Sequence, residues 1–347
     1  MKQTRRNFFY KTLTHAFFAS FLTLGCSAFV QAQPIKFRVG DSFPNGHYIP
    51  KSATIPFFDE VKRLTNGAIE YEYYPAEQLG KAKDMLALTL AGVVDIAYVA
   101  PSFVGDKMPL AAVAELPLSF STSCAGTAAY WKIAQDGGLL DKKEFKPLGV
   151  RVLFTLVLPP YQVFFAKQKI EGLKSFEGMK IRTSGGAKDI AARKLNAVSV
   201  QMATPEVYES LARGTIDGML FPYSSILSYD LQNLVKYSTI GENFGSFIVN
   251  YVISEKRWKT LPANVQQAMV QAGNMVTAQA CVVSDERETA DVQKLKQAGD
   301  TVVELPAADK KKLLELMATV STEWAQALDK RGKAGTEVLN AFQGALK

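Results

Sequence analysis

Strands and helices alternate along the first part of this chain, and that order restricts the fold more than any other feature. Apolar runs predict strands over residues 35–39, 69–74 and 93–99, and amphipathic runs predict helices over residues 50–64 and 81–91. This order predicts a largely parallel sheet covered by helices. Ligands bind beside the carboxyl ends of strands in such sheets, so the loops that follow these strands are expected to lie near a site.

A second unit of the same kind is predicted to begin near Leu156. Its strands are predicted over residues 163–166, 179–183, 198–202 and 216–220, and its helices over residues 187–196 and 205–213. Thr204 precedes a proline and is predicted to cap the second helix. The chain is then expected to return to the first unit near residues 247–253.

Two helical patterns complete the chain. The pattern over Ala263–Gln297 contains no proline and would span roughly 50 Å if continuous, which is long enough to bridge two units. The alternative is a break near Gly273 or residues 282–284. The tail, residues 306–342, is amphipathic, and its apolar face is predicted to hold Leu313, Leu314, Leu316 and Met317.

The start of the chain resembles an export signal. Basic residues precede an apolar stretch over residues 16–30, and Val30-Gln31-Ala32 offers small residues for cleavage, so residues 1–32 are predicted to be a signal peptide. The Arg5-Arg6 pair also fits a twin-arginine signal, and an ordinary Sec leader is the alternative. The mature protein is expected in the periplasm.

Charge and composition exclude several classes of protein. The net charge is +7, but four positive charges and no acid lie within residues 1–32. The remainder is too mildly basic to favour binding of nucleic acid. His47 is the only histidine after residue 32, so neither a histidine metal cluster nor a histidine-based catalytic triad is expected. The sequence therefore predicts no cofactor, no metal and no enzyme, although a carboxylate base leaves catalysis open.

Two cysteines remain in the mature chain, Cys124 and Cys281. In an oxidising compartment they could form one bridge. Two separately buried thiols are the alternative and are slightly favoured.

Arg182 is the candidate binding residue that stands out. It ends a short β-type run and is followed by Thr183-Ser184-Gly185-Gly186, whose small side chains leave room for a ligand beside the backbone. A guanidinium offers a planar fork of donors that matches a carboxylate. The alternative is an arginine that pairs with a neighbouring acid at the rim of the sheet.

An ordered set of short motifs resembles the periplasmic solute-binding proteins of TRAP transporters, the DctP-like family. The set covers nearly all of the mature chain, although no single motif is specific. It comprises Phe57-Phe58-Asp59-Glu60-Val61, Thr65-Asn66-Gly67, Tyr74-Pro75-Ala76-Glu77-Gln78-Leu79-Gly80, Gly92-Val93-Val94-Asp95-Ile96, Glu115-Leu116-Pro117, Gly178-Met179-Lys180-Ile181-Arg182, Glu206-Val207-Tyr208 and Gly214-Thr215-Ile216-Asp217-Gly218.

The resemblance implies an α/β fold with two lobes, crossing hinge strands and a long bridging helix, like other periplasmic binding proteins. Residues 33–157 with about 246–290 would form lobe I, and residues 158–245 with about 291–347 would form lobe II. The lobes would close around one small organic acid. The closed receptor would deliver the acid to the permease subunits of a TRAP transporter in the membrane.

The resemblance also places the family's carboxylate-binding arginine at Arg182. Two positions depart from the family pattern. Phe221 stands where an asparagine usually helps to hold the carboxylate, and Gln162 stands where a second cation is common. One cation and an added aromatic ring favour a monocarboxylate with an apolar or aromatic body over a dicarboxylate or a sugar acid. The alternative is that Phe221 only packs in the core.

Further ligand contacts are predicted in loops that should face the cleft. The candidates are Tyr48, Tyr98, Tyr161 and Thr204. A tyrosine supplies contact area and a hydroxyl at a small loss of entropy. His47 is interpreted as a surface-loop residue, with a ligand contact as the alternative. Two other functions stay open: a periplasmic sensor for a membrane kinase and, less favoured, an enzyme that acts on an organic acid.

Overall fold

The computed structural model describes residues 33–347, in which helices cover two β-sheets. The predicted signal peptide lies outside the described residues. The strands are β1 (Ile35–Gly40), β2 (Ile69–Tyr74), β3 (Ile96–Val99), β4 (Val150–Val157), β5 (Gln162–Phe165), β6 (Lys180–Thr183), β7 (Val198–Gln201), β8 (Gly218–Phe221), β9 (Tyr237–Thr239), β10 (Ile248–Ser254) and β11 (Thr301–Val303). The helices are α1 (Ile55–Leu64), α2 (Met85–Leu90), α3 (Ser123–Ala134), α4 (Lys146–Leu148), α5 (Ala187–Lys194), α6 (Val207–Ala212), α7 (Tyr223–Ile226), α8 (Glu255–Trp258), α9 (Ala263–Gln297), α10 (Ala307–Asp329) and α11 (Gly335–Ala345).

Each sheet combines parallel strands with strands that run the other way. The first sheet has the order β2-β1-β3-β10-β4, with β1 parallel to both neighbours and β10 antiparallel to β3 and β4. The second has the order β11-β9-β5-β8-β6-β7, in which β6 is parallel to β7 and β8. The predicted return of the chain to the first unit is confirmed, because β10 lies between β3 and β4. Strands β4, β5, β9 and β10 take part in the antiparallel pairs, and the chain passes from one sheet to the other between β4 and β5 and between β9 and β10.

Two chain segments cross between the sheets and are hydrogen-bonded to each other. One joins β4 to β5 and the other joins β9 to β10. The amide of Leu158 donates to the carbonyl of Phe247 (2.9 Å), and the amide of Tyr161 donates to the carbonyl of Gly245 (2.8 Å). The chain therefore has the two-lobed α/β fold with crossing hinge strands. The exact lobe boundaries stay a prediction, and the last helix, α11, packs on α3 of the first lobe.

Helix α9 is continuous over its 35 residues, so the predicted alternative of a break is wrong. It packs against α1, α3 and β4 on one side of the molecule and against α7 and β11 on the other. A side chain at Gly273 would collide with the carbonyl oxygen of Leu153. The glycine is present because the helix lies directly on the backbone of β4, and it does not interrupt the helix.

The tail forms two helices, α10 and α11, instead of one. The predicted apolar face is partly wrong: Leu313 and Met317 are buried, but Leu314 is half exposed. The buried positions Leu313, Met317, Val320 and Trp324 are spaced by four, three and four residues, which keeps them on one side of a helix. No helix among the described residues is long and apolar enough to cross a membrane.

Cys124 and Cys281 form a disulfide, so the favoured prediction of two separate thiols is wrong. Helices α3 and α9 pack together and bring the two Cα atoms to 4.8 Å. The carboxylate of Asp285, on α9, also accepts hydrogen bonds from the first amides of α3, those of Ser123 (2.6 Å) and Cys124 (3.1 Å). The long helix thus holds α3 covalently and caps its N-terminus.

Removing this disulfide should lower the free energy of unfolding by about 2–4 kcal/mol, because the bridge closes a loop whose ends are 157 residues apart. Urea unfolding of the Cys124→Ser/Cys281→Ser variant measures the effect. The wild-type protein in reductant should match the variant, and the variant itself should not respond to reductant. Equal stability of oxidised and reduced wild type would contradict the prediction.

Candidate functional site

The side chain of Arg182 is fully buried at the end of β6. Its Nε and Nη2 donate to the carbonyl oxygen of Met202 (3.2 and 3.0 Å), and Nη2 also donates to Oγ1 of Thr204 (3.1 Å). Its Nη1 is buried and has no partner among residues 33–347. No carboxylate in this part of the chain pairs with Arg182, so the alternative of a rim ion pair is wrong.

Burial lowers the pKa of the Arg182 guanidinium, and the nearby tyrosines Tyr161, Tyr229 and Tyr98 oppose that shift. An arginine nevertheless stays charged at any physiological pH. A buried cation without a counter-ion is costly unless an anion joins it. The site therefore holds one buried, charged donor that has neither a hydrogen-bond partner nor a counter-ion among the described residues.

Thr204 contacts Arg182 and does not cap a helix. It lies within a short 3-10 turn, Thr204–Glu206, and its hydroxyl makes no capping hydrogen bond. The predicted cap is wrong because this hydroxyl instead accepts from Nη2 of Arg182. Its predicted place at the site is consistent with the structure, although it positions the arginine and has no shown role toward a ligand.

Ser184 is a site residue that the sequence did not single out. It follows β6, two positions after Arg182, and is fully buried. Its Oγ has no hydrogen-bond partner among the described residues. Two unsatisfied polar groups so close along the chain are unusual in a folded protein, where buried polar groups are paired.

The ring of Phe221 lies beside the guanidinium. Its centroid is 5.6 Å from Cζ of Arg182, within the range of a cation–π contact. Phe221 is the last residue of β8, which neighbours β6, so the two residues meet at the same edge of the second sheet. Tyr161 and Tyr229 pack on the same ring, with centroids at 6.1 and 5.8 Å. The structure thus brings Arg182, Phe221 and Tyr161 together, as predicted.

Three tyrosine hydroxyls near Arg182 have no hydrogen-bond partner within residues 33–347. They belong to Tyr98, on β3 of the first sheet, to Tyr161, in the hinge, and to Tyr229, which follows α7. Burial raises the pKa of all three phenols, and the charge of Arg182 opposes the rise at Tyr161 and Tyr229. The three hydroxyls therefore stay protonated and can donate. Tyr229 was missed because nothing in its sequence context marks it as facing the cleft.

Tyr48 lies in the same group but its hydroxyl is engaged. It bonds Oγ of Ser284, on α9, at 3.0 Å and contacts Oγ of Ser224, on α7, at 3.4 Å. Arg287 lies over the ring, with its Cζ 5.0 Å from the centroid. Tyr48 therefore ties the loop after β1 to the long helix and to the second lobe, and its hydroxyl is less available to a ligand than those of Tyr98 and Tyr161.

Gln162 is held by the hinge. Its Nε2 donates to the carbonyl of Glu242 (2.6 Å), and its Oε1 accepts from Oγ1 of Thr239 (2.9 Å). Both ends of the amide are thus occupied by the returning strand. The side chain therefore joins the two crossing segments, and a ligand contact at Gln162 stays a prediction.

A buried ion pair lies beside the site and was also missed. Nζ of Lys188, on α5, is 2.6 Å from Oε2 of Glu115 and donates to the carbonyl of Ser246 (2.8 Å). Ser102 also donates to Glu115. Both ionic side chains are fully buried. A lysine in the first turn of a helix usually indicates a solvated surface, so this pair could not be predicted from the sequence. Glu115 neutralises Lys188, the second cation near Arg182.

The prediction that His47 lies on a surface loop is wrong. His47 is 1% exposed and packs among the rings of Phe43, Tyr48 and Tyr229, with centroids at 4.6, 5.0 and 5.1 Å. Burial, followed by the charge of Arg287, lowers the pKa of His47 to about 3. The ring is therefore neutral at physiological pH.

This low pKa predicts that His47 makes the fold less stable in acid. An unfolded histidine binds a proton below about pH 6.5, whereas folded His47 does not until about pH 3. Its share of stability is present above pH 6.5 and is lost as the pH falls. Between pH 7 and 5 the wild type should lose about 1–2 kcal/mol more than His47→Gln in urea unfolding. Parallel pH profiles for the two proteins would contradict the prediction.

The fold and this site together define a class: two-lobed receptors that enclose a small ligand at the hinge. The model of the bacterial extracellular solute-binding proteins, family 7 (DctP), matches residues 39–327. The chain therefore belongs to this family, the solute-binding proteins of TRAP transporters, and the predicted resemblance is confirmed. The chain is 28% identical over 337 residues, 94% of its length and 96% of the relative's, to the C4-dicarboxylate-binding periplasmic protein DctP of Rhodobacter capsulatus.

Solved structures of TRAP solute-binding proteins share the fold. One from Bordetella bronchiseptica, with bound (R)- and (S)-mandelate, has a TM-score of 0.81 at 23% identity and covers 90% of this chain and 99% of its own. One from Rhodoferax ferrireducens, in complex with copurified benzoate, has a TM-score of 0.82 at 21% identity and covers 90% and 97%. Such low identities establish the architecture and leave the ligand of this chain open.

Proposed function

We propose that this protein captures a monocarboxylate with an apolar or aromatic body in the periplasm and presents it to a TRAP-type permease. The observation that carries the proposal is the buried, unpartnered Nη1 of Arg182 beside the ring of Phe221. A carboxylate oxygen accepts from Nη1, and the hydroxyl of Ser184 is free to donate to the second oxygen. The ligand thereby satisfies both orphan groups and supplies the missing negative charge.

The charges around the site favour one carboxylate over two. Lys188 is the other buried cation near Arg182, and Glu115 already neutralises it. Arg287, the cation over Tyr48, is already paired with Asp291, so a second carboxylate would enter a largely aromatic space at a high cost. Phe221 and Tyr229 instead offer ring faces to an apolar body. Mandelate and benzoate, bound by two proteins of this fold, are monocarboxylates of this kind.

Capture needs movement of the two lobes about the hinge. Arg182 and Phe221 lie on the second sheet and Tyr98 lies on the first, so the ligand bridges the lobes. A ligand that contacts both lobes only when they are closed favours the closed state by its differential affinity. We expect small-angle scattering to show a smaller radius of gyration with ligand than without, and a permease would recognise this closed surface. Capture without turnover makes the protein a receptor and not an enzyme.

The test is calorimetric titration of refolded, ligand-free residues 33–347 with matched acids. Benzoate, phenylacetate and mandelate should bind, and succinate, malate and galacturonate should bind at least tenfold more weakly. Unfolding and refolding remove any acid retained during purification. Tight binding of the dicarboxylates alone would overturn the proposed ligand class, and no binding of any acid would overturn the proposed function.

Replacing the ring at Phe221 should change which acids bind. Phe221→Leu keeps an apolar side chain but removes the aromatic face, so we expect aromatic acids to bind about 3- to 10-fold more weakly, a loss of about 1 kcal/mol. Phe221→Asn restores the family's polar residue and should narrow the gap between malate and benzoate. Titration of both acids into each variant measures the shift. Unchanged affinities in both variants would indicate that Phe221 only packs in the core.

A further inference from the structure

The imidazole of His47 has one nitrogen that is used and one that is not. Nδ1 accepts a hydrogen bond from the amide of Ile49 at 3.2 Å. Nε2 is buried and has no partner among residues 33–347. Because Nδ1 is an acceptor, the proton of the neutral ring must be on Nε2. His47 therefore presents a buried N–H donor without an acceptor.

Such a group is costly to leave unsatisfied. A buried donor without an acceptor loses the full free energy of its hydration. His47 titrates too low to become a cation under physiological conditions, so an anionic partner is not required and a neutral oxygen suffices. The neighbouring side chains do not supply such an oxygen to Nε2. Arg287 is a cation and has no acceptor, and the hydroxyl of Tyr48 is bonded to Ser284.

The position of His47 relates it to the carboxylate site. Its ring meets that of Tyr229 edge-on at 5.1 Å, and Tyr229 packs on Phe221 at 5.8 Å, whose ring lies beside Arg182. The amide of Ile49 occupies Nδ1, so Nε2 is the ring nitrogen that remains for a ligand. His47 thus lies on the first lobe, separated by two rings from the cation on the second.

We propose that Nε2–H of His47 donates a hydrogen bond to an oxygen on the body of the bound acid, so that the receptor selects hydroxy- or oxo-substituted monocarboxylates over plain hydrocarbon ones. The proposal rests on the proposed function and names the substrate class more narrowly. Arg182 binds the carboxylate, and the rings of Phe221 and Tyr229 pack against the body of the acid. His47 donates to an oxygen on the part of the body that lies farthest from the carboxylate. A site that donates to a ligand oxygen discriminates strongly against the analogue that lacks it.

The experiment compares acids that differ by one oxygen. Benzoate is titrated against 3- and 4-hydroxybenzoate, and phenylacetate against 3- and 4-hydroxyphenylacetate, into ligand-free wild type, His47→Phe and His47→Gln. In the wild type we expect the best hydroxy acid of a pair to bind about 10- to 100-fold tighter than its parent. In His47→Phe that ratio should fall to about one while the parent acid still binds. In His47→Gln, whose amide can donate, part of the preference should return.

The outcomes separate this inference from the function on which it rests. If no acid binds the wild type, both fail. If acids bind but the ratio is near one in the wild type, or persists in His47→Phe, only the role of His47 is overturned, and its N–H is then satisfied by the face of Tyr229. Thermal unfolding of each variant confirms that it folds. If His47→Phe does not fold, the comparison of His47→Gln with the wild type decides, because a retained full preference there contradicts a directional imidazole contact.

Discussion

Replacing Arg182 by methionine should weaken the binding of carboxylates by roughly 30-fold or more. Methionine resembles the aliphatic stem of arginine and carries no charge, so the variant keeps an apolar stem and loses both the contact of the guanidinium with Phe221 and the donor at Nη1. Removing one partner of a buried charge pair weakens binding by about 2–5 kcal/mol, which is roughly 30-fold to several thousand-fold in Kd. Titration of benzoate and of a hydroxybenzoate into both proteins measures the loss.

Two further variants make this result specific. Arg193→Met removes an exposed arginine of the neighbouring helix α5 and should leave the affinity unchanged. Arg182→Lys keeps the charge but not the fork, so its affinity should fall between wild type and Arg182→Met. Binding retained in Arg182→Met would mean that the guanidinium only supports Met202 and Thr204, and the acid must then bind elsewhere.

The ligand-free stability of Arg182→Met offers a second view of the same side chain. A purely structural arginine would stabilise the fold, so its loss would lower the free energy of unfolding. Here the loss of three hydrogen bonds to Met202 and Thr204 is offset by relief from burying an unpaired cation. We therefore expect little change without ligand and the full effect only in its presence.

Local patterns in the sequence were enough to predict the scaffold. The strands β1 and β2 and the helix α9 follow from the periodicity of apolar residues, which depends on near neighbours along the chain. Arg182 could be identified because a strand end, a cation and small residues occur together. Phe221 was found through the family pattern and Tyr161 through its place in a loop expected to face the cleft, and the structure places Phe221 beside Arg182 and Tyr161 on the ring of Phe221.

The remaining features depend on contacts between distant segments. The disulfide joins residues 157 positions apart, and its formation depends on how α3 lies against α9. The burial of His47 follows from the ring of Tyr229, nearly two hundred residues away. The family pattern places Gln162 at a ligand position, but it could not show that Glu242 and Thr239 bond its amide group. The sequence predicts on which strand, helix or loop a residue lies. Its hydrogen-bond partners, which come from distant segments, decide which polar atoms are left to bind a ligand.

Lys188→Met should produce the largest loss of stability of any single change considered. It leaves the carboxylate of Glu115 buried without its cation, and Oε1 of that carboxylate has no partner among the described residues even in the wild type. Breaking a buried pair by removing one member costs about 3–5 kcal/mol, mainly because the other charge stays buried. Urea unfolding should therefore show a lower midpoint with an unchanged slope.

The double variant Lys188→Met/Glu115→Gln distinguishes a buried charge from lost packing. It removes both charges, so it should recover most of the stability that Lys188→Met loses, since neutral replacements of buried pairs are often tolerated. Lys194→Met is the matched control on the same helix: its partner, Glu323, is exposed, and such pairs contribute about 0–1 kcal/mol. Equal losses in the single and double variants would contradict the electrostatic explanation.

Lys188 also donates to the carbonyl of Ser246 in the hinge. If the double variant recovers stability but not ligand affinity, the pair of Lys188 and Glu115 positions the crossing strand for closure.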